Sequence, residues 1–389
     1  MNILIISSSF PTKSATHQNI FVGTQAKCLA DRGHNIWAVA THSETRKEGN
    51  LTVVNRDDSF FKLIFMGFRM FLKKPGMFFF LSKNLGIKRT LGLFSLCGAC
   101  MNIIRKNKID IIDGHWIESG GIVAYMLSQI LKRKYIVTEH GILAELCDGA
   151  VGKKSDKESV VIKRVLDNAD KIITESKNLM EFIGLYTDKK PILIRYGIDL
   201  SKFSPGKKSI FERPTFLSVG SLNKRKNRIE LLKAFKILLD KNFDADLVII
   251  GSGSEKDKLK KFIEENNLSR NIKLIDYVEN DKLPSYYSSA VAFVLTSLHE
   301  GFGLVFIEAE ACGCPSIAYN LYAIPEAIGD AGILVKARDI EGVAESMKKI
   351  LTDKKLRDKL SKNAVNYSKE FSLNKRINEI EKQYKLVLN

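Results

Sequence analysis

The chain has 389 residues, 45% of them hydrophobic, and 61 Lys+Arg against 44 Asp+Glu give a net charge of +17. That length allows two domains, each with its own core, and the excess charge favours an anionic partner: nucleotide, nucleic acid or acidic lipid surface. No stretch reaches the roughly 18 uninterrupted apolar residues of a membrane span, and the opening MNILIISSSF lacks a basic leader, so a cytoplasmic chain with six reduced cysteines is expected.

The first half alternates strand and helix patterns. NILIIS (2–7) reads as a strand, residues 21–32 as a helix stopped by Gly33, and NIWAVA (35–40) as the next strand. Residues 60–80, FFKLIFMGFRMFLKKPGMFFF, hold eight of the 22 phenylalanines. On a helix, Lys62, Arg69 and Lys73 share one face, with Phe61, Phe65, Phe68 and Leu72 largely elsewhere, and Lys74 adds charge. That amphipathic, aromatic and basic run predicts contact with an anionic membrane surface; packing on the chain's own core is the alternative. Cys97 and Cys100, C-G-A-C, read as small helix residues in the absence of a second Cys pair at zinc spacing. IDIID (109–113), KYIVTEH (134–140), KIIT (171–174) and ILIRY (192–196) are further strands.

Residues 197–214 have Gly, Pro, Ser and Lys without helical period and read as a linker. The alternation then restarts with TFLSVG (215–220), DLVIIG, NIKLID, VAFVL, PSIAY and AGILV. Apolar strands separated by helices predict parallel sheets covered on both faces. The expected α/β architecture is therefore an N-terminal Rossmann-like domain (1–196), the linker, a second such domain (215–370) and a C-terminal helix (371–389). The two doubly wound domains are expected to face each other across a cleft lined by strand carboxyl ends.

SLHEGFGLVFIEAEACGCPSIAY (297–319) carries the most chemistry. Glu300 and Glu308 bracket a glycine turn and a helix start after a buried strand. Gly301 and Gly303 allow a sharp turn and close approach of a ligand. The free N–H groups of the helix start suit phosphate or sugar oxygens, and a carboxylate at each end suits hydroxyls. E-G-F-G-L-V-F-I-E followed by A-x-A-C-G-x-P resembles the retaining GT-B glycosyltransferases of the glycosyltransferase-4 type, the glycosyl transferases group 1, over nearly the whole chain.

That resemblance implies an acceptor-binding first domain, a nucleotide-sugar-binding second domain and the following residue roles. Glu308 binds donor ribose hydroxyls, and Glu300 lies near the transferred sugar. Backbone at Phe302, Gly303 and Leu304 holds sugar or phosphate oxygens, with Val305 flanking the phosphates. In VGSLNKRKN (219–227), Lys226 matches the family lysine that stabilises the departing diphosphate, while the family's arginine position is Ser221; Arg225 or Lys224 is left to substitute. His115 in IIDGHW matches the histidine contacting the donor sugar; His140 in TEHG, read from its place after another strand and not from the resemblance, is expected to line the same cleft, with a structural histidine as the alternative. In the first loop Asn19 replaces an expected glycine, with Gly23 allowing close packing on the acceptor side. Tyr196 to Asp199 match the segment leading to the linker, Gly251 ends a strand on the nucleotide side, Val278 contacts the base through its backbone, and Ala323 to Glu326 match a second-domain loop.

Asp244-Ala245-Asp246 precedes an apolar strand and reads as a solvated turn, so no metal and no other cofactor is expected. The whole implies a hexosyl transfer from a UDP- or GDP-linked donor, by same-face attack with retention. The acceptor is expected to be a lipid-linked glycan in envelope polysaccharide or lipopolysaccharide assembly, with the protein peripheral on the inner face of the cell membrane. A soluble acceptor, a glycoside hydrolase and a nucleic-acid-binding protein are the rivals; against the last, the basic residues are scattered and match no nucleic-acid-binding motif.

Overall fold

Strands buried on both faces cannot be joined by hairpins when they run parallel, so each must hand the chain to a helix that covers the sheet. The structure, a computed structural model, describes residues 1–12, 20–56, 72, 74–141, 155–206 and 210–389, and divides into two units. Unit 1 is Met1–Arg195 with Arg376–Asn389, and unit 2 is Tyr196–Lys375.

Unit 1 runs β1 (Asn2–Ser9), α1 (Ile20–Asp31), β2 (Asn35–His42), β3 (Arg46–Glu48), β4 (Leu51–Asn55), α2 (Pro75–Leu85), α3 (Ile87–Lys106) and β5 (Ile111–His115). A π-helical turn (Trp116–Gly121) leads into α4 (Ile122–Leu131), followed by β6 (Tyr135–Glu139), α5 (Asp156–Asn168), β7 (Lys171–Thr174), α6 (Lys177–Gly184) and β8 (Ile192–Leu193). The sheet order is β3-β4-β2-β1-β5-β6-β7-β8, parallel except at the β3–β4 pair. The order reverses direction between β1 and β5, the switch point where open α/β sheets hold ligands.

Unit 2 runs β9 (Thr215–Val219), α7 (Arg228–Asp240), β10 (Asp246–Ile250), α8 (Lys256–Glu265), β11 (Ile272–Ile275), α9 (Leu283–Ser289) and β12 (Ala292–Leu295). It continues with α10 (Leu304–Ala311), β13 (Ser316–Tyr319), α11 (Ile324–Ile328), β14 (Gly332–Val335), α12 (Ile340–Thr352) and α13 (Lys354–Ser368). Its all-parallel order, β11-β10-β9-β12-β13-β14, is the dinucleotide-fold order with its switch point between β9 and β12. The last helix, α14 (Leu373–Leu388), joins unit 1 from Arg376 onward. There Glu381 takes Arg32 at 2.6 Å and Tyr384 donates to Asp113 at 2.6 Å.

Several local expectations shift. The strand expected at 109–113 sits two residues later, because Ile111 pairs with Ile3 in the β1 register; His115 is thereby the last strand residue. ILIRY shrinks to Ile192–Leu193 at the sheet edge. The β3–β4 hairpin went unread, although Gly49-Asn50 is a two-residue turn signal and Gly49 has φ +56°. Residues 197–206 pack on unit 2: Gly206 N–H donates to Ser288 Oγ, and a Cβ at Gly197 would meet Leu373 Cα at 2.6 Å. Helix α3 is long and apolar enough to cross a bilayer by length and composition, but most of that stretch is buried in unit 1, Cys97 and Cys100 included. Burial pushes both thiols well above the ordinary range, so they stay protonated and unreactive.

The carboxyl ends of β9 and β10 are held together by glycines. Gly220 N–H donates to Ile250 O and Leu222 N–H to Ser252 O. Gly251 has φ +150°, and a Cβ there would stand 2.0 Å from the Gly220 carbonyl oxygen. Gly251→Ala should therefore cost at least about 2 kcal/mol and displace the Gly220 loop, a loss readable in the denaturant midpoint of unit 2.

Candidate functional site

In unit 2 the residues singled out from sequence collect at the β9/β12 switch point. After β9 the Asn223 side chain accepts the Lys226 N–H and caps a 3-10 turn over Lys224–Lys226. Asn227 then adopts a left-handed conformation, which asparagine tolerates, and α7 begins. The loop after β12 is stitched to this turn: Thr296 Oγ1–H donates to Asn227 O, and Leu298 N–H to Arg225 O. That stitching brings Lys226 Nζ to 2.5 Å from Glu300 Oε1, both side chains nearly buried. Burial alone would raise Glu300, but Lys226 outweighs it and holds the carboxylate below its usual range. Burial lowers Lys226 despite Glu300, with Arg228 and Arg225 adding to the fall.

Arg228 is the residue that sequence reasoning missed. It opens α7, is 2% exposed, and donates from Nη2 to the Val219 carbonyl at 3.0 Å. Its Nε and Nη1 have no hydrogen-bond partner among the described residues. With Lys226 and Glu300 it leaves this buried spot with one positive charge in excess, the electrostatics a diphosphate would satisfy. Ser221, Lys224 and Arg225 are all exposed, and Ser221 Oγ accepts from Asn223. The signal for Arg228 was its place at a helix start after a basic turn, but only the fold shows it turned inward.

Gly303, at φ +92°, starts α10. The Phe302 ring packs into the interior against Tyr196 and Phe371, so only its backbone can serve a ligand. Gly301, Leu304 and Val305 stay partly open beside the helix start. Glu308, on the second turn, accepts from Tyr287 Oη at 3.0 Å, and burial pushes it up to about 7 against that hydrogen bond. Val278 is buried and Tyr277 exposed at the end of the loop after β11. Asp244 and Asp246 both pair with Arg213 at the amino end of β10, away from the strand carboxyl ends.

In unit 1, His115 and His140 lie edge to edge, with ring centroids 4.9 Å apart and planes within 7°, and Nδ1 of His115 is 2.7 Å from Nε2 of His140. Nε2 of His115 lies 3.2 Å from Asp113, and Nδ1 of His140 2.8 Å from Glu175. Both side chains are buried, so the structure brings the two histidines together but buries them within a carboxylate network. Burial and the neighbouring His115 and Arg376 push His140 well below its ordinary value. Trp116, directly after His115, has φ +59°, backbone strain of the kind found beside functional groups. Gly23 packs on Pro11, where a Cβ would stand 2.7 Å from Cγ. Asn19, Phe61, Phe65, Phe68, Arg69 and Lys73 lie outside the described residues. Lys74 is exposed before α2, whose Phe78 stacks edge-on with Phe94 and whose Phe80 carries the Arg164 guanidinium, while Phe79 is exposed.

Two family patterns match in succession: Glycosyltransferase Family 4 over residues 18–202 and Glycosyl transferases group 1 over residues 202–367. A D-inositol 3-phosphate glycosyltransferase of Corynebacterium glutamicum is 26% identical over 72% of this chain and 73% of its own. An O-antigen chain mannosyltransferase B of Escherichia coli is 31% identical over 44% and 45%. The crystal structure of Anabaena HepE in complex with UDP and glucose superposes with a TM-score of 0.73 at 15% identity, covering 99% of each chain.

Glu300→Leu would leave Lys226 and Arg228 buried with no carboxylate between them and should cost about 3 kcal/mol, whereas Lys226→Met leaves Glu300 facing Arg228 and should cost less. Chemical denaturation of the two variants separates these outcomes. If a nucleotide-sugar donates hydroxyls to Glu308, its affinity should fall about fivefold from pH 8 to pH 6 by titration calorimetry, as burial has raised Glu308 to about 7 and it gains a proton in that range. Glu308→Gln should flatten that dependence.

Proposed function

Because the chain belongs to the group 1 glycosyltransferases of family 4, with the GT-B fold of two Rossmann-like units, we propose that it moves a hexose-type sugar from a UDP- or GDP-linked donor to a lipid-linked glycan. The observation that carries the donor assignment is the Lys226–Glu300–Arg228 cluster at the unit 2 switch point, one positive charge in excess beside the start of α10. A nucleoside diphosphate leaves with growing negative charge on its terminal phosphate, and fixed cations and helix N–H groups lower that barrier. Glu308 takes the ribose hydroxyls, and Glu300, kept ionised by Lys226, takes a sugar hydroxyl. His115 and His140 are assigned to the sugar.

The reaction is proposed to retain anomeric configuration, the leaving phosphate helping to deprotonate the acceptor on the same face. It is also proposed to need no metal: Asp244 and Asp246, the one Asp-x-Asp pair weighed for a metal, both pair with Arg213 at the amino end of their strand. A resemblance to the O-antigen mannosyltransferase supports an envelope polysaccharide or lipopolysaccharide acceptor, and the basic aromatic run 60–80 supports a peripheral place on the inner face of the membrane. A second reading, a soluble phosphorylated acceptor, is favoured by the inositol-phosphate relative.

Thermal-shift measurement with UDP-, GDP-, ADP- and CMP-sugars should single out one nucleotide, and Glu308→Ala should abolish the shift. Turnover should survive EDTA, and NMR of the product should show the donor's anomeric configuration; an inverted product overturns the same-face route. Phe68→Asp with Lys73→Glu should release the protein from anionic liposomes, and unchanged binding removes the membrane from the proposal.

A further inference from the structure

Unit 1 contains a closed ring of buried polar groups drawn from five parts of the chain. Asp113 of β5 accepts from Thr138 Oγ1 at 2.9 Å, Tyr384 Oη at 2.6 Å and Gln25 Nε2 at 3.2 Å. It then faces His115 at 3.2 Å; His115 faces His140 at 2.7 Å; His140 faces Glu175 at 2.8 Å. Glu175 faces Arg376 of α14 at 3.2 Å, and Arg376 returns to Gln25 Oε1 at 3.4 Å. Every one of these residues is under 9% exposed. The Phe21 and Trp116 rings close over His140 at 4.6 and 4.7 Å. Glu139, a further buried carboxylate that feels the charge of Glu175, lies outside the ring and accepts from the N–H groups of Ile117 and Gly141.

An uncompensated charge in a buried ring of this kind is costly, so a net charge of zero is favoured. Two carboxylates, Asp113 and Glu175, meet one guanidinium, Arg376, so neutrality requires one further proton. The facing His115, with hydrogen bonds from Tyr384 and Thr138, holds the Asp113 carboxylate ionised and down to about 2 in spite of burial. The extra proton is left with Glu175, His140 and His115, which lie in line.

The geometry points to a buried relay in which Glu175 and His115 share one proton through His140, with Arg376 of the last helix fixing the number at one. In one placement Glu175 O–H donates to His140 Nδ1, His140 Nε2–H to His115 Nδ1, and His115 Nε2–H faces Asp113. In the other, the first two protons each move one step: Glu175 is ionised, His140 is the opposite tautomer, and His115 is an imidazolium. No atom is gained or lost, and the net charge is zero in both. Glu175 and Arg376 are thus positioning residues that act on His115 through His140. Only the effect on turnover rests on the assignment of His115 to the sugar; the proton count does not.

The test is ring-nitrogen NMR of 15N-histidine-labelled full-length protein at pH 8, assigned with His115→Gln and His140→Gln. Wild type should show a His115 signal averaged between neutral and imidazolium forms. Glu175→Gln removes one negative charge and should make both rings neutral. Arg376→Gln removes the positive charge and should raise the imidazolium share, with Arg376→Lys returning it to the wild-type value. Two substitutions moving one signal in opposite directions is not what a packing defect produces. His115 signals unchanged in Glu175→Gln, an isosteric change, overturn the proposal even if Arg376→Gln fails to fold. Glu175→Gln should also lower kcat by at least about tenfold with donor affinity retained. If the rings respond and kcat does not, the relay stands and the role given to His115 falls.

Discussion

A parallel strand cannot turn straight back, and everything functional in this chain follows from that constraint. Each strand must send the chain around a covering helix, so all carboxyl ends in a sheet emerge on one edge. Where the winding reverses, two neighbouring loops diverge and leave room for side chains that the sheet itself would exclude. In unit 2 that place lies between β9 and β12, where Lys226 and Glu300 meet although 74 positions apart in sequence. In unit 1 it lies between β1 and β5, whose final residue is His115.

Both places are electrostatically tight, but they are balanced differently. The unit 2 cluster keeps a surplus of positive charge, because Lys226 and Arg228 share the single carboxylate of Glu300. A surplus of that kind is costly in an empty site and is offset when an anion arrives, which suits a group meant to stabilise a leaving diphosphate. The unit 1 ring is closed upon itself. Its carboxylates, imidazoles and guanidinium face one another in turn, and the last helix completes it through Arg376 and Tyr384. The final helix is therefore part of the chemistry of unit 1 as well as its packing.

The sequence by itself determined the alternation of strand and helix, because buried parallel strands are near-continuous apolar runs between turn residues, and it marked the glycine–glutamate motif through its composition and spacing. It also singled out Lys226, Glu300, His115 and His140 as individual residues. The tertiary structure alone decided who meets whom. Arg228 reads as one more surface cation in N-R-I-E, and only the left-handed turn at Asn227 aims it inward at the Val219 carbonyl. Gln25, Glu175 and Arg376 carry no local pattern, since a polar side chain looks alike in sequence whether it faces water or a buried partner. Strand register moved His115 onto β5 and beside Asp113. Hydrophobic periodicity is a property of neighbours along the chain, whereas the cancelling of buried charge is a property of neighbours in space, and the latter is set only once the sheets have formed.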